Sequence, residues 1–166
     1  MKSLPVFAGA TFLAAALGGF ITSRRRNRVW YRLLTKPGFT PPDRAFSLIW
    51  PVLYGLSAIS AWRVARTPAS PLRSKALALW GTQLACNAAW SPLFFGWHAP
   101  RAALVDLAAN YASLGAYALA ARDVDPAAAY LVAPYLGWLT FAGALNTSII
   151  AKNDGPFQSV VARAMR

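Results

Sequence analysis

Trp80, Gln83, Asn87, Trp90 and Phe94 stand three or four residues apart in the stretch WGTQLACNAAWSPLFF. On a helix, at about 100° per residue, they share one narrow arc. Gly81, Ala85 and Ala89 fall on the opposite side. The first face can stack rings on a flat molecule and hydrogen-bond its polar edge. The second, built from small residues, suits close packing against another helix. This is binding chemistry. Catalysis has little to draw on: there is no paired carboxylate, no Ser/His/Asp set within one plausible site, no Gly-rich phosphate loop and no metal cluster. Cys86 is the single cysteine, which excludes an intrachain disulfide and a thiolate metal site.

Two further stripes follow the same spacing. One runs through Trp50, Tyr54, Ser57 and Ala61, the other through Tyr135, Trp138, Ala142 and Leu145 with Asn146 beside them. A lone aromatic stripe reads first as core packing. Three stripes with embedded Gln83, Asn87 and Asn146 read as the lining of a shared hollow. Carboxamides in hydrocarbon are costly unless bonded to each other, to backbone or to a ligand. Pro51, Pro92 and Pro134 lie within or near the ends of these segments, and each leaves a carbonyl one turn earlier without its helical partner. They serve either a packing bend or a lined cavity. Asp106 is the one acid inside an apolar run, a functional candidate or an ion-pair partner of Arg101. His98, the only histidine, sits beside Pro100 at a helix end and reads as an interfacial residue rather than a haem-iron ligand.

The elements that must position these residues are membrane spans. The chain has 166 residues, 57% of them hydrophobic and 13% charged, against about a quarter charged in a soluble domain. Its acids are five Asp, and its 17 Lys and Arg gather at the ends of apolar runs. Five spans are expected, at about 4–23, 45–66, 76–97, 101–121 and 127–150, in one all-α domain with a polar, exposed tail over 151–166. The first is read as an uncleaved helix rather than a signal peptide, since Lys2 alone precedes it and Arg24, Arg25, Arg26 and Arg28 follow. Short links make the bundle run up and down. Ala10, Ala14 and Gly18, and again Ala108, Ala112, Ala116 and Ala120, form small-residue ridges for helix packing.

The first loop, residues 24–44, is basic, but a membrane-flanking loop facing anionic headgroups explains that better than nucleic acid. Pro37, Pro41 and Pro42 stiffen it and preclude a long regular helix. Trp30 and Tyr31 serve there as interfacial anchors or as part of a lid. Its side of the bundle carries eleven Lys and Arg against six on the other. The richer side should face the cytoplasm, which puts the amino terminus out and the carboxy terminus in.

Four ordered blocks, WYRLLTKPGFTPP (Trp30–Pro42), WPVLYG (Trp50–Gly55), QLACNAAWSPLFFG (Gln83–Gly96) and PYLGWLTFAGALN (Pro134–Asn146), resemble the tryptophan-rich sensory protein/translocator protein family, also called the peripheral benzodiazepine receptor or TspO/MBR family. The resemblance implies a five-helix, multi-pass membrane protein, often a homodimer. Here that means a bacterial cell membrane, inner or outer. It implies a ligand such as protoporphyrin IX or haem, with no cofactor required for the fold. The implied pocket, under the first loop, uses Trp50, Tyr54, Asn87, Trp90 and Phe94, closed by Trp138, Ala142 and Leu145, with Trp30 and Tyr31 in the lid. The implied dimer contact is Gly81, Ala85 and Ala89. Transport of such ligands and light-dependent porphyrin degradation are the alternative activities. The family's sterol pattern departs here, because LNTSIIAK (Leu145–Lys152) has no Tyr.

Overall fold

The computed structural model describes residues 4–154. The expected exposed tail beyond Asp154 and the terminal charges Lys2, Arg163 and Arg166 lie outside the described residues. Helices are the only regular elements among those residues: α1 (Leu4–Ser23), α2 (Arg25–Leu33), α3 (Asp43–Arg66), α4 (Pro71–Ser91) running into a π-helical turn (Pro92–Gly96), α5 (Pro100–Arg122), α6 (Pro126–Leu131) and α7 (Ala133–Asn153). Three stretches are long and apolar enough to cross a membrane: α1, α3 and the combined α6–α7 segment Pro126–Asn153.

The helix ends follow local rules. The Ser70 hydroxyl accepts from the Arg73 N–H at 3.1 Å, and Asp125 accepts from the Ala127 N–H at 3.1 Å. Each cap precedes a proline at the first helical position, where a missing N–H is harmless. The three internal prolines act differently. Pro51 leaves α3 continuous. Pro92 opens the π turn, in which the Trp97 N–H reaches back five residues to Pro92 O at 2.8 Å. Pro134 follows the break at Val132 that separates α6 from α7, so the expected single span over 127–150 is two helices. The first loop is also more ordered than its prolines suggested. Its basic, proline-free first part forms α2 before Pro37 ends the regular backbone.

α4 packs most extensively on α5, and α1 lies against α3 and α4. The ridge expected on α1 is used: Ala14 is buried, and a Cβ at Gly18 would stand 3.0 Å from Ser91 Oγ of α4. The ridge expected on α5 is packed at one end only: Ala108 and Ala112 are exposed, Ala116 is half-buried and Ala120 is buried, while Ala103, Leu107, Leu114, Tyr117 and Ala121 are also buried. The larger residues of α5 bury more apolar area when turned inward, and they fix its rotation. α3 and α4 run antiparallel, since Trp80 bonds Ser57 while the later Asn87 bonds the earlier Tyr54. At one end of the bundle the Ser60 hydroxyl meets Tyr117 OH at 2.6 Å and donates to Ala128 O at 2.7 Å, tying α3, α5 and α6 together.

At the other end α7 runs three residues past its expected limit. Asn153 is 2% exposed, not part of a polar exposed tail. Its amide accepts from the Thr35 N–H at 2.9 Å and donates to Thr35 O at 2.9 Å and Ile149 O at 2.7 Å. A buried amide that meets both backbone groups of one loop residue holds the first loop on the end of α7.

Candidate functional site

The faces of α3, α4 and α7 converge below α2. Backbones of α3 and α7 approach closely at few positions, and large side chains fill the gap. Trp50 stacks on Tyr54 at 5.3 Å between ring centroids and meets Tyr135 and Trp138 edge-on at 6.0 and 6.2 Å. Trp138 in turn contacts Phe46 at 5.6 Å and Phe141 at 5.3 Å. A second group lies beside it. Trp90 stacks on Phe94 at 4.9 Å, and Trp30 of α2 meets Phe94 edge-on at 5.5 Å. Trp90 packs against both groups and joins them.

Asn87 is the polar centre. The Tyr54 hydroxyl donates to its Oδ1 at 2.6 Å, and its Nδ2 donates to the Tyr135 hydroxyl. One amide thus links all three helices. Trp80, deeper on α4, donates to Ser57 Oγ at 3.0 Å. The remaining polar groups are different. Trp90 Nε1, Trp138 Nε1 and both amide atoms of Gln83 are buried with no hydrogen-bond partner among the described residues. Gln83 is 1% exposed. Each such orphan costs about 1–3 kcal/mol if nothing answers it.

α2, which carries the expected lid residues Trp30 and Tyr31, packs against the link after the π turn. Trp30 is buried, and its ring stacks on His98 at 4.5 Å. His98 holds a left-handed backbone, φ 53°, an uncommon conformation for a side chain other than glycine. Burial pushes the His98 imidazole below its usual value, and Arg26 adds to that. Tyr31 contacts Phe95 at 5.4 Å and carries Lys36 4.5 Å above its ring. Burial raises the Tyr31 phenol, with Asp43 pushing the same way. Burial lowers Lys36, and the Asp43 charge opposes it.

Most of the residues singled out in the sequence come together here: Trp30 and Tyr31 of the first loop, and Trp50, Tyr54, Asn87, Trp90, Phe94 and Trp138 of the spaced stripes, in ring or hydrogen-bond contact, with Ala142 and Leu145 packed against the same clusters. Asn146 does not point among the rings. With its amide oxygen and nitrogen exchanged, the orientation that satisfies both, it bridges the first turn of α5, donating to Pro100 O at 3.2 Å and accepting from the Leu104 N–H at 3.3 Å. Gly81 and Ala85 are exposed, and Ala89 is half-buried. Asp106 does not pair with Arg101, which instead meets Asp154 at 2.5 Å, and Asp106 Oδ2 is buried without a partner among the described residues. Spacing missed Phe46, four residues before Trp50, and Phe141, three after Trp138, although both extend the stripes. His98 carried no such signal. No group of three metal-ligating side chains occurs among the described residues.

Comparison with known proteins places the chain among relatives. The model of the TspO/MBR family matches residues 7–151. Protein CrtK of Rhodobacter capsulatus is 36% identical over 154 residues, 92% of this chain and 96% of its own. The translocator protein of Sus scrofa is 38% identical over 148 residues, 86% of this chain and 88% of its own. The tryptophan-rich sensory protein of Cereibacter sphaeroides is 37% identical over 124 residues, covering 75% and 77%. A matched segment that takes in α2, the π turn and nearly all of α7 contains every ring of the site, and the chain belongs to the TspO/MBR family.

Proposed function

We propose that this protein is a multi-pass membrane receptor whose five long helices each cross the bilayer, and that it binds tetrapyrroles such as protoporphyrin IX or haem between α3, α4 and α7. The observation that carries the reading is the set of orphaned donors, Trp90 Nε1, Trp138 Nε1 and Gln83 Nε2, on the faces that also present the rings. Packing alone does not call for them, because Phe or Leu would fill the same space without an unanswered N–H. A ligand with flat apolar faces and acceptor atoms at its edge answers both features. Carboxylates on that edge would suit Lys36 and the arginines of α2. The rings already touch, so a macrocycle enters by parting Trp50 and Trp138. The test is saturable quenching of tryptophan fluorescence by protoporphyrin IX. Trp138→Ala is expected to weaken binding at least tenfold. Equal binding by both proteins would remove the pocket.

Transport is the second reading. The name of the Sus scrofa relative, translocator protein, favours it, as do the two helix interruptions at Pro92 and Val132. Reconstituted vesicles without protein-dependent porphyrin flux would dismiss it. A homodimer through Gly81, Ala85 and Ala89 and an outward amino terminus complete the proposal. The first rests on an exposed small-residue face, the second on the distribution of charge.

A further inference from the structure

The end of the bundle remote from the aromatic site holds a cavity of about 270 Å³, lined by Trp62, Arg63, Arg66, Thr67 and Asp125. That is just below the range of drug-sized pockets, roughly 300–1,000 Å³. Its two arginines differ. Arg63 is committed to Asp125, with Nε 2.9 Å from Oδ2 and Nη2 donating to Oδ1 at 3.1 Å. Arg66 has no carboxylate partner among the described residues. Its guanidinium lies 4.8 Å above the Trp62 ring, which fixes the plane and leaves the N–H edge unused. A third guanidinium, Arg73, reaches the rim by donating to Thr67 O at 3.0 Å. With Asp125 answered by Arg63, the lining keeps one net positive charge.

The cavity also continues into an apolar track. Going back along α3 from Arg66 and Trp62 by steps of three and four, the same outer face carries Ile59, Gly55, Val52 and Leu48, all exposed. A Cβ at Gly55 would meet nothing within 4 Å, so the track has a shallow dent there. An oriented cationic fork at the end of an exposed apolar track matches one kind of molecule, an acidic headgroup with a chain attached. We propose that this niche binds the phosphate of an anionic phospholipid, with Arg66 as the headgroup clamp and an acyl chain lying along Ile59, Gly55 and Val52.

The test is native mass spectrometry of the full chain released from nanodiscs of equal phosphatidylglycerol and phosphatidylcholine. Wild type should retain phosphatidylglycerol in preference. Arg66→Gln should retain about tenfold less, the size expected for losing one charge-assisted fork. Arg66→Lys should fall between, because the charge stays and the fork goes. Lys152→Gln, an exposed charge on α7 at the opposite end, should match wild type. Added phosphatidylglycerol should also raise the unfolding temperature of wild type and not of Arg66→Gln. Equal retention by Arg66→Gln and wild type would overturn the proposal, as would an equal loss in Lys152→Gln, which would mean diffuse charge attraction. Complete displacement of the lipid by millimolar inorganic phosphate would overturn the lipid assignment in favour of a free oxyanion.

Discussion

The Tyr54 hydroxyl donates to the Asn87 amide oxygen at 2.6 Å, and the same amide donates to Tyr135 from its nitrogen. The site therefore has a hydrogen-bonded frame that joins α3, α4 and α7 independently of its rings. Losing Asn87 leaves one buried phenol, Tyr135, and one half-buried phenol, Tyr54, without that partner. Losing the Tyr54 hydroxyl leaves only one amide oxygen. Asn87→Leu is expected to cost about 2 kcal/mol or more and Tyr54→Phe about 1 kcal/mol, judged by unfolding in detergent. A double-mutant cycle of Tyr54→Phe with Asn87→Ala should show coupling of about 0.5–2 kcal/mol. Strict additivity would mean that the bond contributes nothing.

The orphaned indoles separate binding from packing. Trp90→Phe keeps an aromatic ring against Phe94 and deletes the unpartnered N–H. Thermal stability should hold or rise by up to about 1 kcal/mol, while porphyrin affinity falls about tenfold. A loss of stability with unchanged affinity would assign Trp90 to the core alone.

The loop clasp is a separate lever. Asn153→Ala removes all three hydrogen bonds between the amide and its neighbours Thr35 and Ile149. The first loop should then open to limited proteolysis by proteinase K between Leu34 and Asp43, with a stability loss of about 2–4 kcal/mol. Cleavage at the wild-type rate would show that Trp30 and Tyr31 hold the loop without help.

Acid should loosen the lid. The folded protein depresses the His98 pKa through burial and the nearby Arg26, so below the ordinary histidine value of about 6.5 the unfolded chain binds protons more readily than the folded one. Stability should be flat above about pH 7 and decline as pH falls through about 6.5. His98→Asn, which tolerates the left-handed backbone, should remove that decline. A matching pH profile in the variant would place the titration elsewhere.

The exposed small-residue face of α4 predicts a variant that alters assembly only. Ala85 is exposed, and the neighbouring Gly81 has open space where a Cβ would sit. Ala85→Trp should convert the proposed dimer to a monomer in light scattering while changing unfolding by no more than about 0.5 kcal/mol. Persistence of the dimer would move its interface to another face.

Much of this arrangement is legible from residue spacing because the period of a helix is fixed. Trp80, Gln83, Asn87 and Phe94 all face inward on that ground alone. The split at Val132 and the π turn were not legible. Pro51, Pro92 and Pro134 look alike in sequence, and only tertiary neighbours decide whether a freed carbonyl gives a straight helix, a wider turn or a break. Asn146 was grouped with the rings because it sits beside Leu145, yet one residue is about 100° of rotation, enough to turn it to α5. Asn153 escaped notice because its partner Thr35 is 118 residues away, and periodicity carries no information at that distance.

The π turn at Pro92–Gly96 acts as a phase shifter. It fits one more residue into a turn than the α geometry of the preceding segment. Removing any one of its five residues would let the chain wind back to a regular spiral. The turn would keep nearly the same rotation with one residue fewer, so everything after it would stay in step, whereas winding all five residues as α-helix would carry it about 100° further round. The bearing of His98 on Trp30 and the entry angle of α5 are both set downstream of that one surplus residue. A single-codon deletion here should therefore be borne better than one earlier in α4, which would turn the residues on its two sides about 100° out of register.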